Sequence, residues 1–250
     1  MKLAAFLIHL KRATQRRPQV ERIIEACPLD IAVVDAVDGR AMSEAEQAKV
    51  YKFEKQFEPP YPFRIGPGEI GCFLSHRRCW QRTVDGNADA GLILEDDVEI
   101  DADVFAKAIE LATDHIAEIG YIQFQVRAIP GASRIVDARD GHRLIFPATV
   151  PRRTSAQLVS RDAAKHLLRL TDTFDRPIDG FLQLTWETKI PVACIEPSGV
   201  TDRTAQSGGS TITPHAKGSL LARLSGNIYR EALRLWYRWQ VASASRRQRP

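Results

Sequence analysis

Apolar residues in this chain follow two rhythms. In the first they come as short, dense runs. Residues 2–10 carry Leu3, Phe6, Leu7, Ile8 and Leu10, residues 31–34 carry Ile31, Val33 and Val34, and residues 91–94 read Gly-Leu-Ile-Leu. Further runs cover 155–159 and 192–195, and in 121–126 Ile122, Phe124 and Val126 alternate with Tyr121, Gln123 and Gln125. Such runs predict strands of a buried sheet. In the second rhythm apolar residues recur at three- and four-residue steps. Val20, Ile23 and Ile24 follow Pro18 in a helix over 18–26. Ile70, Phe73, Leu74, Trp80 and Val84 mark another over 69–84, and Val104, Phe105, Ala108, Ile109 and Leu111 a third over 103–116. Ser160 caps a helix ending near Leu170, and residues 43–57 also read as helical. Strand, helix and strand at this spacing predict βαβ units, hence an α/β fold with a mostly parallel sheet flanked by helices.

Between these elements lie three notable loops. Residues 58–68 hold Pro59, Pro60, Pro62, Gly66, Pro67 and Gly68 in a stiff, irregular connection whose aromatics, Tyr61 and Phe63 among them, are expected to pack it down. Residues 173–180 present Asp175 and Asp179, and a Gly/Ser/Thr-rich stretch over 198–213 has the composition of a lid. Residues 130–141 read as loop, with a hairpin near 144–146.

Composition changes this picture little until charge is divided along the chain. The net charge is +4, but from Ala216 onward eight basic residues face the single acid Glu231, +7 in all, which leaves −3 for the rest. That balance argues against a broad nucleic-acid face. The same segment predicts a helix over 219–242 with Leu221, Leu224, Ile228, Ala232, Leu235 and Trp239 on one stripe and Arg223, Arg230, Arg234 and Arg238 opposite. This is the pattern of a basic amphipathic helix at a membrane surface, its alternative being a helix docked on the core. The expected organisation is therefore a domain over 1–215 and a helical tail over 216–250, the helix being detachable without loss of the fold. Cys27, Cys72, Cys79 and Cys194 form no Cys-x-x-Cys pair and are expected as reduced thiols of a cytosolic protein. Neither a secretory signal nor a span of ~20 apolar residues is expected.

The candidate chemistry gathers at the third apolar run, which enters Glu95-Asp96-Asp97 directly. Adjacent carboxylates repel and resist desolvation, so they stay in water or take a cation. At the carboxyl edge of an open α/β sheet, where ligands bind, they suit a hard ion such as Mn²⁺ or Mg²⁺ together with substrate phosphates. Gly71, in the first turns of the helix over 69–84, suggests close approach of something to the backbone; Ser75 and His76 follow one turn on. The first loop lacks Gly-x-Gly-x-x-Gly, which removes the main support for a dinucleotide fold, while Arg12 and Arg16 there are candidates for phosphate or base contact. A metal-dependent phosphohydrolase and a non-enzymatic membrane- or nucleic-acid-binding module are the competing readings.

Several of these stretches resemble glycosyltransferase family 25, the bacterial lipooligosaccharide biosynthesis enzymes, from the amino terminus to about residue 212. Gly68-Glu69-Ile70-Gly71-Cys72-Phe73-Leu74-Ser75-His76 is the most specific match, and Leu92-Ile93-Leu94-Glu95-Asp96-Asp97-Val98 fits the acidic motif. Ile8-His9-Leu10-Lys11-Arg12 with Arg16 is similar to the opening block, His9 and Lys11 departing from it. Val37-Asp38-Gly39 and Pro177-Ile178-Asp179 fit shorter blocks, and Gln157 stands where a tyrosine is common. The resemblance implies a GT-A-like α/β sheet, a UDP-hexose donor, a divalent metal and an inverting transfer to a saccharide acceptor. The basic tail helix adds the expectation of a lipid-linked acceptor met at the cytoplasmic face of the inner membrane. It implies Asp97, assisted by Asp96, at the metal, and Arg12, Arg16, Glu69, Ser75, His76, Glu95 and Asp96 around the donor. Asp179 is the first choice for catalytic base, ahead of Glu187 and Asp202.

Overall fold

The computed structural model describes residues 1–129, 131, 133–204 and 220–247, with side chains from 231 to 244 in the last segment. Its order is β1 (Leu3–His9), a 3-10 turn (Thr14–Arg16), α1 (Arg17–Ala26), β2 (Ile31–Asp35), α2 (Glu44–Val50), α3 (Pro67–Asp85), β3 (Ala90–Glu95), β4 (Val98–Ile100), α4 (Ala102–Ile119) and β5 (Tyr121–Phe124). There follow β6 (Ser133–Arg139), β7 (His142–Pro147), β8 (Ala156–Ser160), α5 (Arg161–Leu170), α6 (Ile178–Leu182), α7 (Thr185–Thr188), β9 (Val192–Glu196), β10 (Val200–Asp202) and α8 (Leu220–Arg247).

Eight strands form one sheet in the order β2-β1-β3-β8-β5-β9-β7-β6, and β4 pairs with β10 in a small second sheet. Strands β1, β2 and β3 are mutually parallel, β8 runs against β3 and β5, and β9 is parallel to β5. The period of two along the strands sorts side chains to two cores. Ala5 and Leu7 join Leu92 and Leu94 on the face covered by α1 and α4, whereas Phe6, Ile8 and Ile93 join the face covered by α3, α5 and α6. Leu92, Ile93 and Leu94 are wholly buried, each contributing about 1.5–3 kcal/mol. The α/β architecture with a flanked sheet is the expected one.

Three local expectations change. The helix expected over 43–57 ends at Val50, because Tyr51 leaves it to bridge Phe174 and Lys52 N–H donates to Phe174 O at 2.9 Å. The stretch read as loop over 130–141 contains β6, joined to β7 by Asp140 and Gly141 at φ 52° and 82°. Two successive positive φ values suit a tight hairpin, and Asp-Gly is its sequence signal. Within the expected lid, Val200–Asp202 is a strand, while 205–213 lies outside the described residues.

The carboxyl ends of β1, β2 and β3 meet at one edge of the sheet. Strand β8, being antiparallel, brings its beginning there too, with Ala156 opposite Leu94. Helix α3 starts over this edge. An added Cβ on Gly71 would sit 2.4 Å from Val37 O, and one on Gly39 would sit 1.8 Å from Pro67 O. The loop after β2 therefore crosses the first turns of α3 at a separation that only two glycines allow.

Among the described residues no helix is long and apolar enough to cross a membrane. Helix α8 docks through Tyr237 and Val241, which bury against Leu184 and Trp186 with Phe57 and Tyr61 beside them. Leu235, Trp236 and Trp239 are left exposed. The described part of the expected apolar stripe thus points away from the core. The stripe residues before Glu231 lie outside the described side chains.

Candidate active site

The acid triplet is divided among three environments. Glu95 ends β3, and its Oε1 accepts hydrogen bonds from His76 Nε2 at 2.8 Å and from Thr154 Oγ1 at 3.2 Å. Burial works against its charge, but His76, Thr154 and the Arg16 charge together hold its carboxyl below the usual range. His76 is wholly buried and its Nδ1 faces Gln157 Nε2 at 2.6 Å. Gln157 as donor fixes the proton on Nε2, pointed at Glu95.

Asp96 turns inward. Its Oδ2 meets His9 Nδ1 at 2.7 Å and its Oδ1 accepts from Arg16 Nη1, both partners being buried. Its two oxygens are thus held by protein groups, an arrangement that fixes the turn between β3 and β4. Asp97 faces the open side, with Thr204 Oγ1 3.2 Å from its Oδ2 and Arg16 Nη1 at 3.9 Å. Burial, then the charges of Glu95 and Asp96, push its carboxyl up to about 7 against the pull of Arg16.

Two cavities meet at these acids. One is lined by Arg12, Arg16, Val37, Asp38, Gly39, Gly68, Cys72, Ser75, His76 and all three acids. Arg12 forks onto Asp38, with Nε donating to Oδ2 at 2.5 Å and Nη2 to Oδ1 at 3.3 Å. Ser75 accepts from Val37 N–H at 2.8 Å and donates to Gly71 O at 2.6 Å, so it binds the crossing loop to α3. The other cavity has a volume near 430 Å³ and is lined by Tyr61, Glu69, Cys72, Glu95, Asp97, Arg152, Arg153, Thr154, Asp179 and Thr204. Glu69 Oε2 accepts the Gly66 N–H at 2.7 Å and so caps the start of α3 from one side.

Asp179, at the start of α6, shares the second cavity with Glu95 and Asp97. Burial raises its pKa, with Arg152 opposing and Glu95 adding to the rise. The two other acids considered for the base sit elsewhere. Glu187 Oε1 accepts from Glu58 N–H at 3.1 Å and lines neither cavity. Asp202 is paired with Arg127 at 2.8 Å and Arg153 at 2.7 Å. Although burial opposes its charge, Thr204 and these arginines hold it at about 2, too acidic to take a proton well.

Sequence reasoning missed Arg152, Arg153 and Thr154, because only the reversed direction of β8 carries them to this edge. Arg153 has φ 100°, a strained backbone for a residue with a Cβ and of a kind that gathers at functional sites. The site roles of Thr204, Tyr61 and Gln157 were missed as well; the departure at Gln157 and the lid-like composition around Thr204 were signals present in the sequence. Cys72, His76 and Glu95 each bring one ligand atom within 4.8 Å of the others, and a metal ion there would have to displace the His76 Nε2 proton and the Cys72 thiol proton. Burial, then the Glu95 charge, keeps the Cys72 thiol protonated.

The sequence model of glycosyltransferase family 25 (LPS biosynthesis protein) matches residues 2–130. Procollagen galactosyltransferase 2 of Mus musculus is 30% identical over 205 residues, 75% of this chain and 31% of that protein. A glycosyltransferase 25 family member of Anopheles gambiae is 30% identical over 194 residues, covering 73% and 31%. The chain thus spans about a third of the length of these curated relatives. Among solved structures, S. aureus TarS 1-349 aligns with TM-score 0.41 and 11% identity, over 83% of this chain and 62% of that one. Mannose-1-phosphate geranyltransferase from Thermus thermophilus aligns with TM-score 0.39 and 9% identity, over 80% and 77%. Both structural likenesses are too slight to carry weight. The family match covers both blocks that build the site, Gly68–His76 and Leu92–Val98, and the chain belongs to glycosyltransferase family 25.

Proposed function

We propose that this chain transfers a hexose, galactose or glucose, from a UDP-sugar to a saccharide acceptor of lipooligosaccharide or a related surface glycan. The observation that carries the reading is the convergence of Glu95, Asp97 and Asp179 on one cavity, joined at Cys72, Glu95 and Asp97 to a second cavity lined by Arg12 and Arg16. The relatives named galactosyltransferases favour galactose.

A divalent cation, Mn²⁺ or Mg²⁺, fits the donor set. The Asp97 carboxyl, pushed up to about 7 by burial and by its neighbours' charges, marks an excess of negative charge that a cation would relieve. Asp97 and Glu95 would hold the ion through hard oxygens; Asp96 would act from behind, its oxygens being committed to His9 and Arg16. When bound, the ion supplies Lewis-acid neutralisation of the departing diphosphate. The remaining work falls to the chain. Arg12, Ser75 and the crossing loop shape the nucleotide cavity, and His76 orients Glu95. Arg152 and Arg153 add positive charge to the cavity that holds Asp179, on the acceptor side. Asp179 takes the proton of the attacking acceptor hydroxyl, and burial brings its basicity nearer to neutral pH.

Leu235, Trp236 and Trp239 on the outer side of α8, with Arg234 and Arg238 exposed near them, support work at an anionic lipid surface bearing a lipid-linked acceptor. The corresponding place is the inner face of the cytoplasmic membrane. Calorimetry with UDP tests the donor reading. Binding should strengthen at least tenfold with Mn²⁺ in the wild type and gain little in Asp97→Asn. Absence of UDP binding with and without Mn²⁺ would overturn it.

A further inference from the structure

Arg176 is a wholly buried cation three residues before Asp179. A buried charge is tolerated only when its partners are complete. Its Nε donates to Asp175 Oδ1 at 2.7 Å and its Nη2 to Asp175 Oδ2 at 2.9 Å. Nη2 also reaches Phe57 O and Pro59 O, each at 3.0 Å. Nη1 donates to the Tyr237 hydroxyl of α8 at 2.9 Å. One guanidinium therefore ties together the stiff aromatic loop, the segment leading into α6, and the C-terminal helix.

Two other neighbours of the Tyr237 ring lead toward the cavity. The Arg152 guanidinium lies 5.9 Å from its centroid, and the Tyr61 ring stands edge-on to it at 5.2 Å. Arg152 and Tyr61 line the cavity that holds Asp179. Three residues around Tyr237 thus lead to Asp179: Arg176 three residues before it in the chain, and Arg152 and Tyr61 in the wall of the same cavity.

We propose that α8 is part of the acceptor side of the active site and that Tyr237 is a positioning residue for Asp179, an assignment that rests on the proposed hexosyl transfer. The helix lies outside the family match, which ends at residue 130. Removing the hydroxyl takes the acceptor from Arg176 Nη1 in a dry environment, where an unpaired donor is costly. Removing the ring as well releases Arg152 and Tyr61. The α6 start then loses its fixed position, while the donor cavity, built on β1, β2, β3 and α3, does not depend on it.

The test compares full-length wild type, Tyr237→Phe and Tyr237→Leu by hydrogen–deuterium exchange, UDP calorimetry with Mn²⁺, and steady-state transfer. Exchange over residues 171–182 should rise in both variants, more in Tyr237→Leu, and stay unchanged in β3 and α3. UDP affinity should remain within twofold. The turnover number should fall roughly tenfold to a hundredfold, the range expected when a catalytic group is slightly misplaced. Unchanged exchange over 171–182 in both variants would overturn the proposal. So would a loss of UDP affinity as large as the loss of turnover, since that would mark a general structural role. If the wild type transfers no hexose, the functional reading fails by itself, and the exchange measurement still decides whether Tyr237 anchors the segment.

Discussion

Asp97 and Asp96 are neighbours in sequence with opposite electrostatic situations. Asp96 has a full set of cationic and imidazole partners, while Asp97 carries charge that burial and Glu95 penalise. An acid whose folded pKa is raised destabilises the fold once it is ionised. The penalty is absent below its ordinary pKa near 4 and complete above about 7. In chelator at pH 8, Asp97→Asn should therefore melt above wild type, by roughly 2–4 °C per kcal/mol recovered in a chain of this size. The difference should vanish below about pH 4. Transfer by the same variant should fall at least a hundredfold, as expected from loss of a metal ligand worth several kcal/mol. Arg16→Met should behave in the opposite way. It leaves the Asp96 charge buried and half-paired, and denaturant unfolding should show a loss of about 3–5 kcal/mol. The acid triplet was legible in the sequence as one cluster. Its division of labour was not, because His9 and Arg16 lie 87 and 80 residues from Asp96.

At the scale of elements, the apolar rhythm of 2–10 and 91–94 led directly to β1 and β3, since a buried strand leaves a dense apolar run. The direction of β8 left no such mark, because parallel and antiparallel strands share one composition when both faces are covered. With that direction went Arg152, Arg153 and Thr154. The crossing of the β2 loop over α3 was half visible. Gly71 pointed to a close backbone approach, but not to Val37 and Gly39 as what approaches. Gly71→Ala should consequently push two backbone segments apart, since its Cβ would lie 2.4 Å from Val37 O and 2.7 Å from Gly39 N. Urea unfolding should show a loss of at least 2 kcal/mol, in the range typical of overpacking. UDP affinity should drop with it, and unchanged affinity would mean that this loop does not shape the donor cavity.

For the molecule as a whole, the proposed chemistry lies at the sheet edge, and α8 packs through Tyr237 against Tyr61 of the cavity that holds Asp179. The amphipathic stripe was legible in the sequence, but its orientation was not. Tyr237 and Val241 dock because they meet the apolar side chains of Leu184 and Trp186, and nothing local in the helix records those partners. The exposed Leu235, Trp236 and Trp239 should bind vesicles of anionic lipid, less so as salt rises. Trp236→Ser with Trp239→Ser should reduce sedimentation with those vesicles at least fivefold while the melting temperature stays unchanged. Equal sedimentation with neutral vesicles would remove the role of the arginines. The central claim, metal-dependent hexosyl transfer at Glu95, Asp97 and Asp179, is tested most directly by following label from UDP-[³H]galactose and UDP-[³H]glucose into truncated lipooligosaccharide. Label should enter the acceptor with Mn²⁺ and wild-type protein, and should disappear with chelator, with Asp97→Asn and with Asp179→Asn. Transfer that persists at the wild-type rate in chelator and in both variants would contradict the account.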